Sequence, residues 1–188
     1  VDDYVGQFTG NFQVTDEIRF SAQLDTTGYL EMSTGYGFNL GSVYVEPYVS
    51  YGKSDYRDIY SGGAFAGMMI NDDLMLFTDI SHQWRNTNTL GGELFAGDQR
   101  ELLSAVGVSY DALPWLNTSY TFRHDRILDD GGWTNANDNR NSHEVTATFT
   151  QYNDIEPYVQ YTRGEHRVSP GAEVLNENSF EVGLNFRF

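Results

Sequence analysis

The sequence has no cysteine, which excludes a disulfide framework and any thiolate-held metal. No run of apolar residues approaches the roughly 18 that a membrane-spanning helix needs. Positive charge is scarce: 11 Lys and Arg stand against 27 Asp and Glu, a formal net charge of −16. A surface so negative repels phosphates, so nucleic acid is excluded as a partner. Proline is also rare, with four in 188 residues. Aromatics are not scarce: 12 Phe, 13 Tyr and 3 Trp are present, along with 19 Gly. Acidic disordered chains are poor in aromatics, so disorder is excluded as well. A mean hydropathy of −0.49 fits a water-soluble protein, yet the aromatic, glycine-punctuated composition points to a β-rich fold. The length suits one domain, 1–188.

The period of the hydrophobic pattern is two almost throughout. Tyr4, Gly6, Phe8, Gly10, Phe12 and Val14 alternate with polar or small residues. Ile18, Phe20, Ala22 and Leu24 alternate with Arg19, Ser21, Gln23 and Asp25. One strand is expected over 30–40, with Leu30, Met32, Tyr36, Phe38 and Leu40 on one face and Glu31, Ser33 and Gly35 on the other. Further strands are expected at Val43–Tyr51, Leu74–Trp84, Leu102–Tyr110, Leu116–His124, His143–Gln151, Ile155–Tyr161 and Phe180–Phe188. Ala64–Ile70 is apolar on both faces and has no readable orientation. No stretch keeps a helical period. Eleven strands result.

Turn residues separate them in two classes. Thr15-Asp16-Glu17, Gly41-Ser42, Asn71-Asp72-Asp73, Asp111–Pro114 and Tyr152-Asn153-Asp154 are short. Longer links are expected at roughly 53–62, 86–100, 125–141 and 163–177, with one further short link at Thr26-Thr27-Gly28. Alternation of tight turns and long loops is the habit of bacterial outer-membrane barrels. A soluble sandwich would bury the apolar face, whereas a membrane barrel turns it to lipid. Several runs reach the 9–11 residues that a tilted membrane strand requires. The last strand places Phe180, Val182, Leu184, Phe186 and Phe188 on one face and closes on the aromatic. An exposed soluble edge of that kind would invite aggregation. The reading is a transmembrane antiparallel β-barrel.

The run Asp154-Ile155-Glu156-Pro157-Tyr158-Val159-Gln160-Tyr161 and the ending from Asn176 to Phe188 resemble the small monomeric acidic-sugar porins, the oligogalacturonate-specific and sialic-acid-specific outer-membrane channels. Tyr120-Thr121-Phe122-Arg123-His124-Asp125 is similar to a strand of the same family. The resemblance covers the last 40 residues or so and 115–126. It implies a 12-stranded monomeric barrel around a narrow, water-filled pore lined with basic side chains. Against eleven visible strands, it implies that the family's first strand is missing from this chain. The alternative is a ten-stranded barrel with 1–14 placed elsewhere. No leader-like stretch is present, as expected of a processed chain.

By parity the pore lining contains Arg19, Arg85, Arg123 and Arg187. Glu31, Glu46, Asp79, Glu144 and Glu181 are expected to share it, and Asp25, Glu101 and Glu156 fall on the same side. Acids outnumber bases there, which departs from the family's basic lining. Since lumen charge sets which ions enter, strong anion selectivity is not expected. Arg163 falls on the outward parity, where its side chain can snorkel to the rim.

Enzymatic chemistry is not expected. His82, His124 and His143 fall on the outward face near the rim, and His166 in a link, so none is assigned as a general base. A Ser-His-Asp site is defined by geometry that spacing alone does not supply. Asp129, Asp130 and Asp138, and Asp72 with Asp73, match no defined calcium loop; no metal or cofactor is assigned. Gly62-Gly63 and Gly91-Gly92 read as loop glycines without a phosphate cradle. Tyr4, Tyr51 and Trp84 fall near outer strand ends, and Phe12, Phe20, Phe38, Tyr110 and Phe188 near inner ends, as two interfacial belts would place them. Tyr29, Tyr44, Tyr48 and Tyr158 fall on the lumen side, as packing or as a surface for sugar rings. The function expected is a porin for passive diffusion of ions and small hydrophilic solutes, oligosaccharides among them, embedded as a monomer in outer-membrane lipid and lipopolysaccharide of a Gram-negative bacterium. The alternatives are a non-conducting adhesin or structural barrel, and a barrel hydrolase.

Overall fold

The computed structural model describes residues 7–26, 28–54, 57–87, 98–129, 139–151, 155–166 and 175–187. Twelve strands follow in order: β1 (Gln7–Gln13), β2 (Ile18–Asp25), β3 (Leu30–Tyr36), β4 (Phe38–Leu40), β5 (Val43–Lys53), β6 (Arg57–Asn71), β7 (Leu74–Thr87), β8 (Gln99–Leu113), β9 (Leu116–Asp129), β10 (Asn139–Phe149), β11 (Ile155–His166) and β12 (Leu175–Arg187). No helix occurs among the described residues.

The strands form one sheet closed on itself. Each runs antiparallel to its sequence neighbour, and β3 and β4 are two halves of a single crossing. Both pair with β5 in unbroken register, Gly35 with Tyr48 and Phe38 with Val45. The break falls at Gly37, whose N–H turns away to Glu17 O at 2.6 Å. Eleven crossings therefore build the barrel. An odd number brings the first and last strands together in the same direction, and β1 pairs parallel with β12, Gly10 opposite Phe186. The ten-stranded alternative, with the first residues outside the barrel, does not hold: β1 is bonded on both edges.

Local chemistry sets the short turns. Thr15 Oγ1 accepts from the N–H groups of Glu17 and Ile18 at 3.2 and 3.0 Å. Asn71 Oδ1 accepts from Asp73 N at 3.0 Å, an Asx turn. Gly41 holds φ at 65° between β4 and β5, a conformation that a Cβ resists.

Register then fixes the faces. Phe8, Leu24, Leu30, Met32, Val49, Leu76, Ile80, Val106, Val145, Phe180 and Val182 all point outward and are exposed, the last two at 69%. Glu46, Ser81, Glu101, Thr121 and Glu156 point inward and are the buried polar residues among those described. This is a globular protein's distribution inverted. Such a surface is stable only against hydrocarbon, where a closed sheet also satisfies every backbone group. Tyr51 and Tyr60 meet at 5.1 Å on the outside near the longer links, and Trp115 stacks on Phe149 at the turn end, as interfacial belts do.

Several expectations require correction. β6 starts at Arg57, so the expected link over 53–62 shrinks to the residues between Lys53 and Arg57, and Gly62-Gly63 lie within a strand. Strands likewise run on to Thr87, Asp129 and His166 and begin at Gln99, Asn139 and Leu175. His166 is thus a strand end, not a loop residue. Near the rim both faces leave the hydrocarbon, and the alternation that marks a strand fades. Ala64–Ile70 acquires an orientation, with Phe65 and Gly67 inward opposite Asp79 and Phe77. Tyr4, Gly91-Gly92, Asp130, Asp138, the turn 152–154 and Phe188 lie outside the described residues.

Packing inside the wall generates a prediction. A Cβ on Gly107 would meet the Phe77 ring and lie 2.6 Å from the backbone oxygen of Tyr120, which cannot retreat without breaking the sheet. A Cβ on Gly62 would meet nothing within 4 Å. Gly107→Ala is expected to destabilise the barrel by about 1–3 kcal/mol through overpacking, and Gly62→Ala to leave it unchanged. Urea unfolding in lipid vesicles checks both; equal midpoints would refute the packing argument.

Candidate pore lining

The inward face is largely polar, and most of its arginines are paired with acids. Arg19, on β2, reaches Glu46, on β5, at 2.6 Å, and Tyr44 donates its hydroxyl to the other oxygen of Glu46, also at 2.6 Å. Arg123, on β9, lies 3.3 Å from Glu144, on β10. Arg85, on β7, and Arg140, on β10, share Glu101, on β8, at 3.0 and 3.3 Å. The carboxylate of Glu101 is almost fully enclosed, while the guanidinium groups remain partly open to the lumen. Arg85 and Arg123 bridge to the adjacent strand, where inward residues stand roughly 5 Å apart. Arg19 and Arg140 each reach across an intervening strand, Arg19 over Gly35, whose missing side chain leaves room for Glu46.

The remaining acids are held differently. Tyr48 donates to Asp79 at 2.9 Å, Tyr29 to Glu31 and Tyr158 to Glu181. Each of these lumen tyrosines also lies across a glycine on the adjoining strand. A Cβ on Gly52 would fall 2.8 Å from Tyr29 Cζ, one on Gly37 2.7 Å from Tyr44 Cζ, and one on Gly63 2.8 Å from the Tyr48 hydroxyl. Tyr158 covers Gly183 in the same way. The glycine lets the ring lie against the wall, and the carboxylate fixes its hydroxyl.

The expected lining residues can be placed by register. Arg19, Arg85, Arg123, Glu31, Glu46, Asp79, Glu144 and Glu181 all carry these contacts. Arg187 sits on inward register beside Asn11 of β1. Reading by alternation missed Arg140 and Asp125, because both were assigned to the link 125–141. They face each other in register at the outer end of β9 and β10. The sequence Asn139-Arg140-Asn141-Ser142 is polar on both faces and carries no period to detect.

Among the described residues, acids on inward register outnumber the arginines: Asp25, Asp125 and Glu156 add to those above, and Arg19, Arg85, Arg123 and Arg140 are each bound to a Glu. A cavity of about 300 Å³ lies within this lining between Arg123, Glu144, Tyr158 and Glu181. A larger one of about 990 Å³ opens at the short-turn end, edged by Asp73, Asp111 and Glu156. The histidines sit on the outer wall: His143 Nδ1 meets the Tyr120 hydroxyl and His124 Nδ1 meets Asn141 Oδ1, both at 2.8 Å. His82 packs edge-on against Trp84 at 4.1 Å.

A closed, polar-lined ring of tilted strands has counterparts among solved structures. The fold is that of the outer-membrane porins. A KdgM porin solved in complex with disordered oligogalacturonate superposes with a TM-score of 0.66 at 13% identity, covering 98% of this chain and 97% of that one. The outer-membrane channel DcaP of Acinetobacter baumannii gives 0.50 at 15% identity, over 95% of this chain and 60% of that one. The outer-membrane OmpT of Vibrio cholerae gives 0.54 at 10% identity, over 90% and 61%. No protein-family model and no curated protein matches the sequence.

The shared carboxylate of Glu101 generates a prediction. Glu101→Gln leaves two guanidinium groups facing one another. Removing one partner of a buried pair costs about 3–5 kcal/mol, and lumen water reduces that figure. Glu101→Gln is expected to lower the unfolding midpoint in vesicles clearly more than Asp16→Asn in an exposed turn. Equal midpoints would remove Glu101 from the role assigned to it.

Proposed function

We propose that this chain is an outer-membrane channel that passes small hydrophilic solutes, saccharides among them, by passive diffusion. The observation that carries the reading is the inward face, which carries ion pairs and tyrosine-bound acids over most of its strands and encloses open volume. A barrel that served only as a scaffold would gain more by filling that space with apolar side chains, since a buried ion pair is seldom more stable than a hydrophobic replacement. The likeness of fold to a KdgM porin and to DcaP supports the same reading. The histidines give no support to a hydrolase, because the imidazoles of His82, His124 and His143 face outward, away from the water-filled side.

The charge of the lining argues for a solute class different from the one in the KdgM complex. A polyanion entering this lumen would meet arginines offset by Glu46, Glu144 and the pair Glu101 and Asp125, and acids held by neutral tyrosine hydroxyls. Enclosed charges of one sign raise the local concentration of the opposite ion. The pore therefore favours cations and uncharged solutes.

Planar-bilayer recordings test this. The expected result is stable ion-conducting steps with a reversal potential on the cation side in a salt gradient. That preference should shrink as salt rises and the Debye length falls to about 3 Å near 1 M. Arg123→Ala should move the reversal potential further toward cations, because Glu144 then loses its partner. Absence of conductance from correctly folded barrels would overturn the channel reading, and anion preference would overturn the charge argument.

A further inference from the structure

One part of the lumen wall is aromatic. Tyr44 on β5, Phe65 on β6 and Phe77 on β7 all point inward and form a continuous arc, with ring centres 6.4 Å apart for the first pair and 6.0 Å for the second. The planes of Phe65 and Phe77 differ by 25°. Tyr48 stands on the same strand as Tyr44, two inward positions further from the short turns, and bonds Asp79, which pairs in register with Phe65.

The glycines determine how these rings sit. Tyr44 lies across Gly37, Phe77 across Gly107 and Tyr48 over Gly63, each at a spacing that a Cβ would prohibit. A ring laid against a glycine backbone turns one face to the wall and the other to the lumen. None of the four rings is buried: Tyr44 is 36% exposed and the other three are half-buried. Phenylalanine offers no hydroxyl to satisfy a lumen acid, so its presence on a wet wall calls for a ligand with apolar faces.

We propose that this arc is a binding track for pyranose rings without a carboxylate, that is, for neutral or amino-substituted oligosaccharides. A pyranose presents a face of C–H bonds with slight positive character, which suits the negative face of an aromatic ring. Its equatorial hydroxyls point outward from that face and find acceptors in Asp79 and the tyrosine oxygens. Stacking supplies contact that tolerates sliding, because neighbouring rings offer equivalent surfaces. A uronate sugar would stack equally well but would carry its carboxylate into the field of Asp79 and Glu31, where like charges repel. Amino sugars gain from the same field.

This inference rests on the channel reading for transport, and the experiment separates the two. Single channels of the wild type and of Phe65→Leu and Phe77→Leu are recorded with a neutral maltose-type oligosaccharide, a glucosamine oligosaccharide and an oligogalacturonate. Leucine keeps the wall apolar and filled but removes the flat face. The expected result is transient block by the neutral and amino sugars, weaker block by the uronate, and a roughly five- to tenfold rise in the half-blocking concentration in each leucine variant. Ion selectivity should stay unchanged, because neither variant alters a lumen charge. Normal conductance with no sugar block, block unaffected by the leucine variants, or stronger block by the uronate would each overturn the track. Should folded barrels fail to conduct, calorimetric titration of the same sugars into detergent-solubilised protein decides: binding weakened by both leucine variants upholds the site, and its absence refutes it.

Discussion

Every backbone N–H and C=O inside a hydrocarbon layer must find a partner within the protein, and the rest of this structure follows from that requirement. A sheet with apolar side chains on its outer face meets it only by closing into a ring. Closure with eleven crossings forces one parallel contact. Parallel pairing is somewhat less stable per residue than antiparallel pairing. Only Thr9, Gly10 and Asn11 have register partners on β12 among the described residues, whereas β11 is matched to β12 from Ile155 to His166.

Closure also decides where polarity goes. With the outer face given to lipid, side chains that need water have only the rims and the interior. The lumen then holds acids in excess of arginines, and the narrowness of the ring brings them within reach of one another. Two devices satisfy them: an arginine one or two strands away, as at Glu46, Glu101 and Glu144, or a tyrosine hydroxyl, as at Glu31, Asp79 and Glu181. Both leave the field of the surplus negative charge in place. The fold shared with a KdgM porin thus carries a lining of different electrostatic character from one built to draw in polyanions, and it is the lining that sets the solute.

The parts of this arrangement governed by period two were legible in the amino-acid order. Strands such as Ile18–Asp25 and Leu74–Trp84 announce themselves because one face is uniformly apolar, and parity then sets Arg19, Glu46, Asp79 and Arg123 on the opposite face. Legibility failed where the physical cause of alternation disappears. Arg57–Gly63 and Asn139–Ser142 rise above the hydrocarbon, so neither face is obliged to be apolar, and the strands were read as loops. The pairing of Arg140 with Glu101 was lost for that reason. The glycines misled in the opposite direction. Gly62-Gly63 looks like a loop by composition, yet Gly63 is small because the Tyr48 hydroxyl and the carbonyl of Ile80 fill the space beside it. Such a requirement comes from a neighbour more than ten residues away, and one sequence does not display it.

The same fact bears on why the lumen is furnished with rings at all. A barrel this narrow gains stability from bulk inside, and an aliphatic side chain over each glycine would supply it. Such a lining would dewet the pore and close it to polar solutes. An aromatic ring laid flat over a glycine fills the wall without projecting to the axis, and a tyrosine adds a hydroxyl that ties down a carboxylate otherwise free to bridge the lumen. Packing and passage are thus served by one arrangement: the glycine on one strand makes room for the ring on the next, and the ring keeps the acids against the wall.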